Sequence, residues 1–228
     1  MARPKPNPEE VLPHIISAAV NLIQSQGFES MTMKRLAESS GMSVGKLYHF
    51  FPSKDELFLT LEIHYFDGLY AHITEAMDLG KLKNSAPRDT FRAMLDAYYA
   101  YAVSHFDLYK LVTSPPKVFA HFLGTQTEDL AKQELVSALR AIALFRQHFE
   151  NALQDKEQLS QAGQVDALFV LFVNSLHGLI LMSQSTAWPY LSLDTDTVSQ
   201  GHWADKLPAS ATPLDIRQQI DLIVEKLI

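Results

Sequence analysis

The sequence predicts an all-α protein, on three observations. Apolar residues recur at steps of three and four along nearly the whole chain. Glycines, prolines and capping side chains fall between those stretches. No segment alternates with the period of two that a half-buried strand shows. About nine helices follow: an N-terminal three-helix domain containing a helix-turn-helix, then a larger helical domain.

Asn7-Pro8-Glu9-Glu10 has the features of a helix start, with a capping side chain, a first-turn proline and carboxylates at the positive end of the helix dipole. Ile15, Ile16, Ala19, Leu22 and Ile23 carry that helix to Gly27, and Pro13 marks either its true first turn or a kink. Thr32 caps a second helix, Met33 to about Ser39, with Met33, Leu36 and Ala37 inward. Gly41 supplies the left-handed residue on which the chain reverses, and Ser43 caps a third helix from Val44 to about Phe50. Helix, Ser40-Gly41-Met42 turn and short helix together have helix-turn-helix spacing.

Ser53-Lys54-Asp55-Glu56 is a capping box, in which Ser53 and Glu56 can satisfy each other's orphan amides. It opens a long helix to about Met77, with Leu57, Leu61, Tyr65, Leu69, His72 and Ile73 as its stripe. After a linker at 80–88, helices are expected over 88–105, 108–114, 119–123, 126–154 and 164–186, punctuated by Pro115-Pro116 and Trp188-Pro189. The 189–211 stretch reads as an unusually long loop. Thr212-Pro213-Leu214-Asp215 then starts a last helix, whose Ile216, Ile220, Ile223 and Leu227 form a narrow packing seam.

A chain of 228 residues is comfortable for two modest domains, divided here as 1–54 and 55–228. Its net charge of −7 is uneven. Residues 1–54 carry six basic and four acidic residues, net +2, and the remainder thirteen and 22, net −9. A polyanion is therefore met by the N-terminal quarter. The absence of cysteine removes disulfides, thiolate catalysis and cysteine-ligated zinc, and suits a reducing cytoplasm, where the protein is placed.

Met1 to Pro6 has no apolar run behind it and is no signal peptide. The most apolar run, Val165 to Met182, carries Asp166, Asn174 and His177, each costly in hydrocarbon. It reads as a helix buried in protein, and no membrane partner is expected. There is no glycine-rich phosphate loop after a strand, no nucleophile motif and no His-x-x-x-His pair, so neither an enzyme nor a metal or cofactor site is expected. His64 with Asp67, and His72 with Glu75, share helical faces, which solvated or core histidines explain.

Residues 15–58 resemble the DNA-binding domain of the TetR family of transcriptional regulators. The resemblance is carried by Ile15-Ile16-Ser17-Ala18-Ala19, Gly27-Phe28, Thr32, Leu36-Ala37, Gly41, Ser43, Val44-Gly45, Leu47-Tyr48, Phe51 and Ser53-Lys54-Asp55-Glu56-Leu57. It implies a homodimer with one helix-turn-helix per subunit and a palindromic double-stranded DNA operator. It also implies a larger helical domain that senses a small molecule and dimerises through its last two helices. Repression is the family's common mode.

In such a protein the third helix enters the major groove. By matching position, Thr32, Ser43 and Lys54 are phosphate contacts, and Tyr48 packs its ring while its hydroxyl reaches phosphate. Val44 offers apolar contact, for example to a thymine methyl, Gly45 allows close backbone approach, and Lys46 can read guanine O6 and N7 or contact phosphate. His49 is placed at the DNA face and Phe51 in the core. Phe50 departs from the family, in which many members carry histidine, so a phosphate hydrogen bond made there is missing.

The effector cavity is assigned to Tyr65, Leu69, His72, Tyr98, Tyr101, His105, Tyr109, Phe119, Phe122, Phe145 and Phe149, apolar with a few polar tips and suited to a flat or lipophilic effector. Aromatic filling of an ordinary helical core explains each of them singly. The dimer interface is assigned to Leu168, Phe172, Leu176, Leu179, Ile216, Ile220, Ile223 and Leu227, because a run this apolar needs cover. A second reading keeps the fold but makes the protein a structural, nucleoid-associated DNA-binding factor controlled by a protein partner.

Overall fold

The computed structural model describes residues 8–78, 85–153, 163–185 and 216–227. Asn7, Trp188-Pro189, the 189–211 stretch and the Thr212-Pro213 start lie outside them, as do the side chains of Ile216, Ile223 and Leu227.

Among the described residues there are nine α-helices and no strand, the predicted fold class. The first helix, α1 (Pro8–Gln26), runs through Pro13, which therefore lies inside the helix, where it can donate no main-chain bond. Val11, Ile15, Ala18, Ala19, Leu22 and Ile23 form its buried stripe. Gly27, at φ 76°, ends it by donating to the Ile23 carbonyl at 2.8 Å.

The next helix, α2 (Met33–Ser39), is capped by Thr32, whose Oγ1 accepts from the Arg35 amide at 3.2 Å. At its other end Met42 N donates to Ala37 O at 2.8 Å and Gly41 N to Glu38 O at 3.2 Å. Gly41 has φ 66°, so these bonds form a Schellman motif. The helix-turn-helix is completed by α3 (Val44–Phe50), capped by Ser43, whose Oγ accepts from Lys46 N at 3.2 Å.

A single long helix, α4 (Lys54–Asp78), follows, with Ser53 Oγ accepting from Glu56 N at 3.1 Å, one half of the predicted capping box. Beyond it come α5 (Pro87–Ser104), α6 (Phe106–Thr113), a 3-10 turn at Phe119–Phe122, α7 (Glu128–Ala152), α8 (Gln164–Ser183) and α9 (Ile216–Leu227). The boundaries differ from the predicted ones by at most four residues, as terminal turns commonly do.

The chain forms two compact units, Met1–His72 with Tyr101–Ala143, and Ile73–Ala100 with Leu144–Ile228. Helices α4, α5 and α7 contribute residues to both. In the first unit α1 packs on α2 and α6, and α2 on α3. Phe28 meets Phe58 of α4 edge-on, with centroids 6.4 Å apart. In the second unit an aromatic core joins Phe91, Phe149, Phe169 and Phe172, with neighbouring centroids 5.2 to 5.9 Å apart.

By length and composition α8 could cross a membrane. In this chain it contacts α9, its Asp166 pairs with Arg146, and its His177 shares a 3.0 Å hydrogen bond with Tyr98. These contacts cover one face of the helix, and its other face stays exposed in the chain.

Candidate nucleic-acid interface

The third helix is tied to its domain by one fully buried side chain. Leu47 faces the core, and Phe51, just past the helix end, closes it with an amide bond back to the Leu47 carbonyl at 2.9 Å. Phe51 is buried, as assigned from the sequence.

Every other α3 position faces outward at least in part. Val44 and Tyr48 keep 38% and 45% of their surface exposed, and Gly45, Lys46 and His49 are exposed as well. A Cβ on Gly45 would meet nothing within 4 Å, so its backbone is open to close approach. Phe50 is half-buried and meets the His49 ring edge-on at 5.8 Å, bracing one side of that imidazole.

The capping side chains have a second capacity. Ser43 and Thr32 each accept a backbone amide through their oxygens, which leaves each hydroxyl hydrogen able to donate outward. Lys54 is exposed, and its ammonium lies 4.8 Å from the Phe58 ring centroid, held at the head of α4 by a cation–π contact. All eight residues assigned to DNA are thus exposed on the helix-turn-helix or at the start of α4.

The angle between α1 and α2 is pinned by a contact absent from the sequence reading. His14 Nε2 lies 3.2 Å from the carbonyl of Ser40, the residue that ends α2. Arg35 was missed too: its guanidinium donates to Gln26 Oε1 and Ser30 O, each at 3.1 Å, and it helps line a groove of about 460 Å³ with Asn21, Gln26 and Glu38. Only its exposed place beside a capping threonine could have signalled it.

The residues assigned to the effector cavity divide between the units. Tyr98, Phe145 and Phe149 belong to the second, where Tyr98 and Phe145 meet edge-on at 4.9 Å. The other eight belong to the first unit. There Tyr65 and Tyr101 have centroids 5.3 Å apart, His105 stacks on Tyr101 at 4.2 Å, and exposed His72 lies 5.5 Å from the same ring. Leu69 and Tyr109 are buried, while Phe119 and Phe122 pack with Leu59, Leu130 and Ala131 in a satellite cluster. Arg140 takes Asp67, at 2.9 Å, away from the histidine face formed with His64.

The same interior holds a residue the sequence reading passed over. Glu62, on α4, is only 5% exposed. Burial first, and then the neighbouring charge of Glu134, push its carboxyl up to about 8. The signal was present, since Glu62 stands three residues before Tyr65 and seven before Leu69, on the buried stripe itself.

Of the residues assigned to dimerisation, Phe172, Leu176, Leu179 and Ile220 are buried within the chain, and Leu168 is half-buried. The exposed face of α8 is a different seam, Ala167, Leu171, Asn174, Gly178 and Leu181, at steps of four, three, four and three.

Residues 15–61 match the family described as bacterial regulatory proteins, tetR family. The chain is 30% identical over 93 residues to the uncharacterized HTH-type transcriptional regulator YuxN of Bacillus subtilis (strain 168), covering 41% of this chain and 31% of that one. It is 26% identical over 117 residues to the nucleoid occlusion factor SlmA of Actinobacillus pleuropneumoniae serotype 5b (strain L20), covering 51% of this chain and 56% of the relative. These matches span about a third to about half of the relatives' lengths. In fold, the chain is similar to the TetR family transcriptional regulator PfmR from Thermus thermophilus, at 16% identity and a TM-score of 0.58, covering 92% of this chain and 97% of that one.

Proposed function

We propose that the chain, whose residues 15–61 match the tetR family of bacterial regulatory proteins, is a DNA-binding transcriptional regulator of that family and a cytoplasmic repressor. As a homodimer it binds a palindromic operator and is released from it by a small, largely apolar or aromatic effector. Residues 1–54 read DNA, and residues 55–228 bind the effector and the second subunit.

The observation that carries this reading is the exposure of the third helix, which gives the core little beyond Leu47 and presents Val44, Gly45, Lys46, Tyr48 and His49. A short helix is wide enough to fill a major groove, and side chains from its outer face meet base edges there. Ser43, Thr32 and Lys54 flank it as phosphate contacts that fix register and carry no sequence information.

The α8 seam of alternating four- and three-residue steps is the spacing of two helices packed along their length, and it supports dimerisation through α8 and α9. Release follows from α4, whose first turn carries Lys54 and whose fourth carries Tyr65. An effector seated against Tyr65 and Leu69 shifts α4 and changes the separation of the two recognition helices, which DNA fixes at about 34 to 36 Å. It does so only to the extent that it binds the released form more tightly.

Selection of binding sites from random DNA, followed by titration of the selected site, tests the reading. The expected result is a palindrome bound by two chains. Binding without sequence preference would overturn it.

The match to a nucleoid occlusion factor favours a second reading, a structural DNA-binding role under a protein partner. Mapping of chromosomal sites separates the two: one or a few sites beside a regulated gene support the repressor, and many dispersed sites the structural role.

A further inference from the structure

We propose that the segment between α6 and α7, residues 117–122, is a brace for DNA binding, with Lys117 a positioning residue that holds the first turn of α4 and so aims Lys54. The inference rests on the DNA-binding reading above and adds to it a part from outside the residues that match the family.

The first two turns of α4 are gripped from two directions, in register. Lys54 and Phe58, four residues apart on one stripe, turn toward Phe28, just past α1. The Lys54 ammonium lies over the Phe58 ring, and Phe58 meets Phe28 edge-on. Asp55 and Leu59, the next pair at that spacing, meet the segment after α6. Asp55 Oδ2 accepts from Lys117 Nζ at 2.5 Å, and Leu59 is buried in a cluster with Phe122 and Ala131. Lys117 and Phe122 approach each other as well, the ammonium standing 6.0 Å from the ring centroid. All these residues lie within the first unit.

The segment has a firm base of its own. Pro115 and Pro116 restrict the backbone that enters it. His121 N donates to Val118 O at 2.8 Å, Thr125 Oγ1 to Phe122 O at 2.7 Å, and Gly124 N to Glu128 Oε2 at 2.7 Å. Lys117 therefore reaches Asp55 from a loop that is already ordered, and the pair costs little further loop entropy. An exposed pair of this kind contributes little to stability, and its charges cancel. Its effect is on direction: it fixes the way Asp55 points, and Lys54 leaves the same turn one residue and about 100° away.

Operator affinity of full-length variants on the selected palindrome tests this. Lys117→Ala loses a positive charge and Asp55→Ala a negative one, yet each should weaken binding about two- to fivefold. The double variant should bind no more weakly than either single one. Lys117→Arg, which can keep the pair, should retain native affinity. In a Lys54→Ala background neither alanine should cost anything further, because the brace acts through that lysine. Melting temperatures should stay near the native value, and affinity losses that follow a lowered melting temperature would overturn the brace. Tighter binding by Asp55→Ala would show that charge alone governs, and additive losses from Lys54→Ala and Lys117→Ala that Lys117 touches DNA itself; either overturns it. So does native affinity in Lys117→Ala. A native chain that selects no palindrome would instead overturn the DNA-binding reading, and the brace with it.

Discussion

Tyr101 of α5 sets its hydroxyl against Gly68 of α4 so closely that a Cβ there would stand 2.3 Å from Oη and 3.3 Å from Cζ. The hydroxyl donates to the Tyr65 carbonyl, 3.4 Å away, at the long limit of such a bond. Gly68 has a helical neighbourhood and no positive φ, so its role is to make room for a ring and not to turn the chain.

The first prediction concerns this pair. Gly68→Ala gains helix propensity of up to about 1 kcal/mol but must displace Tyr101, at an overpacking cost of about 1–3 kcal/mol. A net loss of stability is expected in the native background. With Tyr101→Phe the nearest atom is gone, and the same alanine should become neutral or stabilising. Chemical denaturation of the four proteins of this cycle measures the coupling, and equal effects of the alanine in both backgrounds would remove the contact from the account.

Glu62 gives stability a pH dependence of defined sign. Its folded pKa, about 8, lies above the ordinary value of 4.5 because of burial and then of Glu134. The folded chain therefore keeps a proton that the unfolded chain gives up. The contribution is complete below about pH 4.5 and is lost as pH rises through 8, with a slope on the order of 1 kcal/mol per pH unit at most. Glu62→Gln should flatten this limb, its melting temperature gaining on the native one between pH 5 and pH 8. Parallel curves for the two proteins would argue against a buried, unpaired carboxyl.

The proposed DNA contacts separate by kind. Lys54→Ala should weaken binding to all sequences alike and lower the salt slope by about one unit. Lys46→Ala should relax preference at one or two base pairs in each half-site, read by site selection. An unchanged preference would leave Lys46 a phosphate contact or a solvated side chain.

The proposed dimer distinguishes the two faces of α8. Leu171, 51% exposed, lies on the open seam, so Leu171→Glu should yield a folded monomer by light scattering, with much weakened operator binding. Phe172, one position on, is 1% exposed in the aromatic core, and Phe172→Ala should cost about 3–5 kcal/mol of stability. A dimer that persists in Leu171→Glu would move the interface elsewhere.

Local chemistry made the N-terminal domain legible. Thr32, Gly41 and Ser43 fixed α2 and α3 to the residue, because capping and left-handed positions are decided by neighbours in sequence. What the sequence could not decide was the outcome of packing. Helix α8 is apolar on nearly every side, so its periodicity did not say which stripe meets the chain's own core, and Phe172, Leu176 and Leu179 were assigned to a partner. Glu62 was overlooked for the converse reason: a carboxylate in a helix is ordinarily solvated, and only the tertiary fold buries this one. Tyr98, Phe145 and Phe149 were grouped with Tyr65 and Tyr101 on composition alone, and the fold assigns the two groups to different units.

The third helix places one of its seven side chains fully in the core. A substitution at Val44, Gly45, Lys46, Tyr48 or His49 therefore leaves the domain's packing nearly untouched. In the proposed DNA-reading role of α3, binding preference can drift by single point changes without passing through an unstable intermediate, and Leu47 is the one α3 position at which such drift is closed.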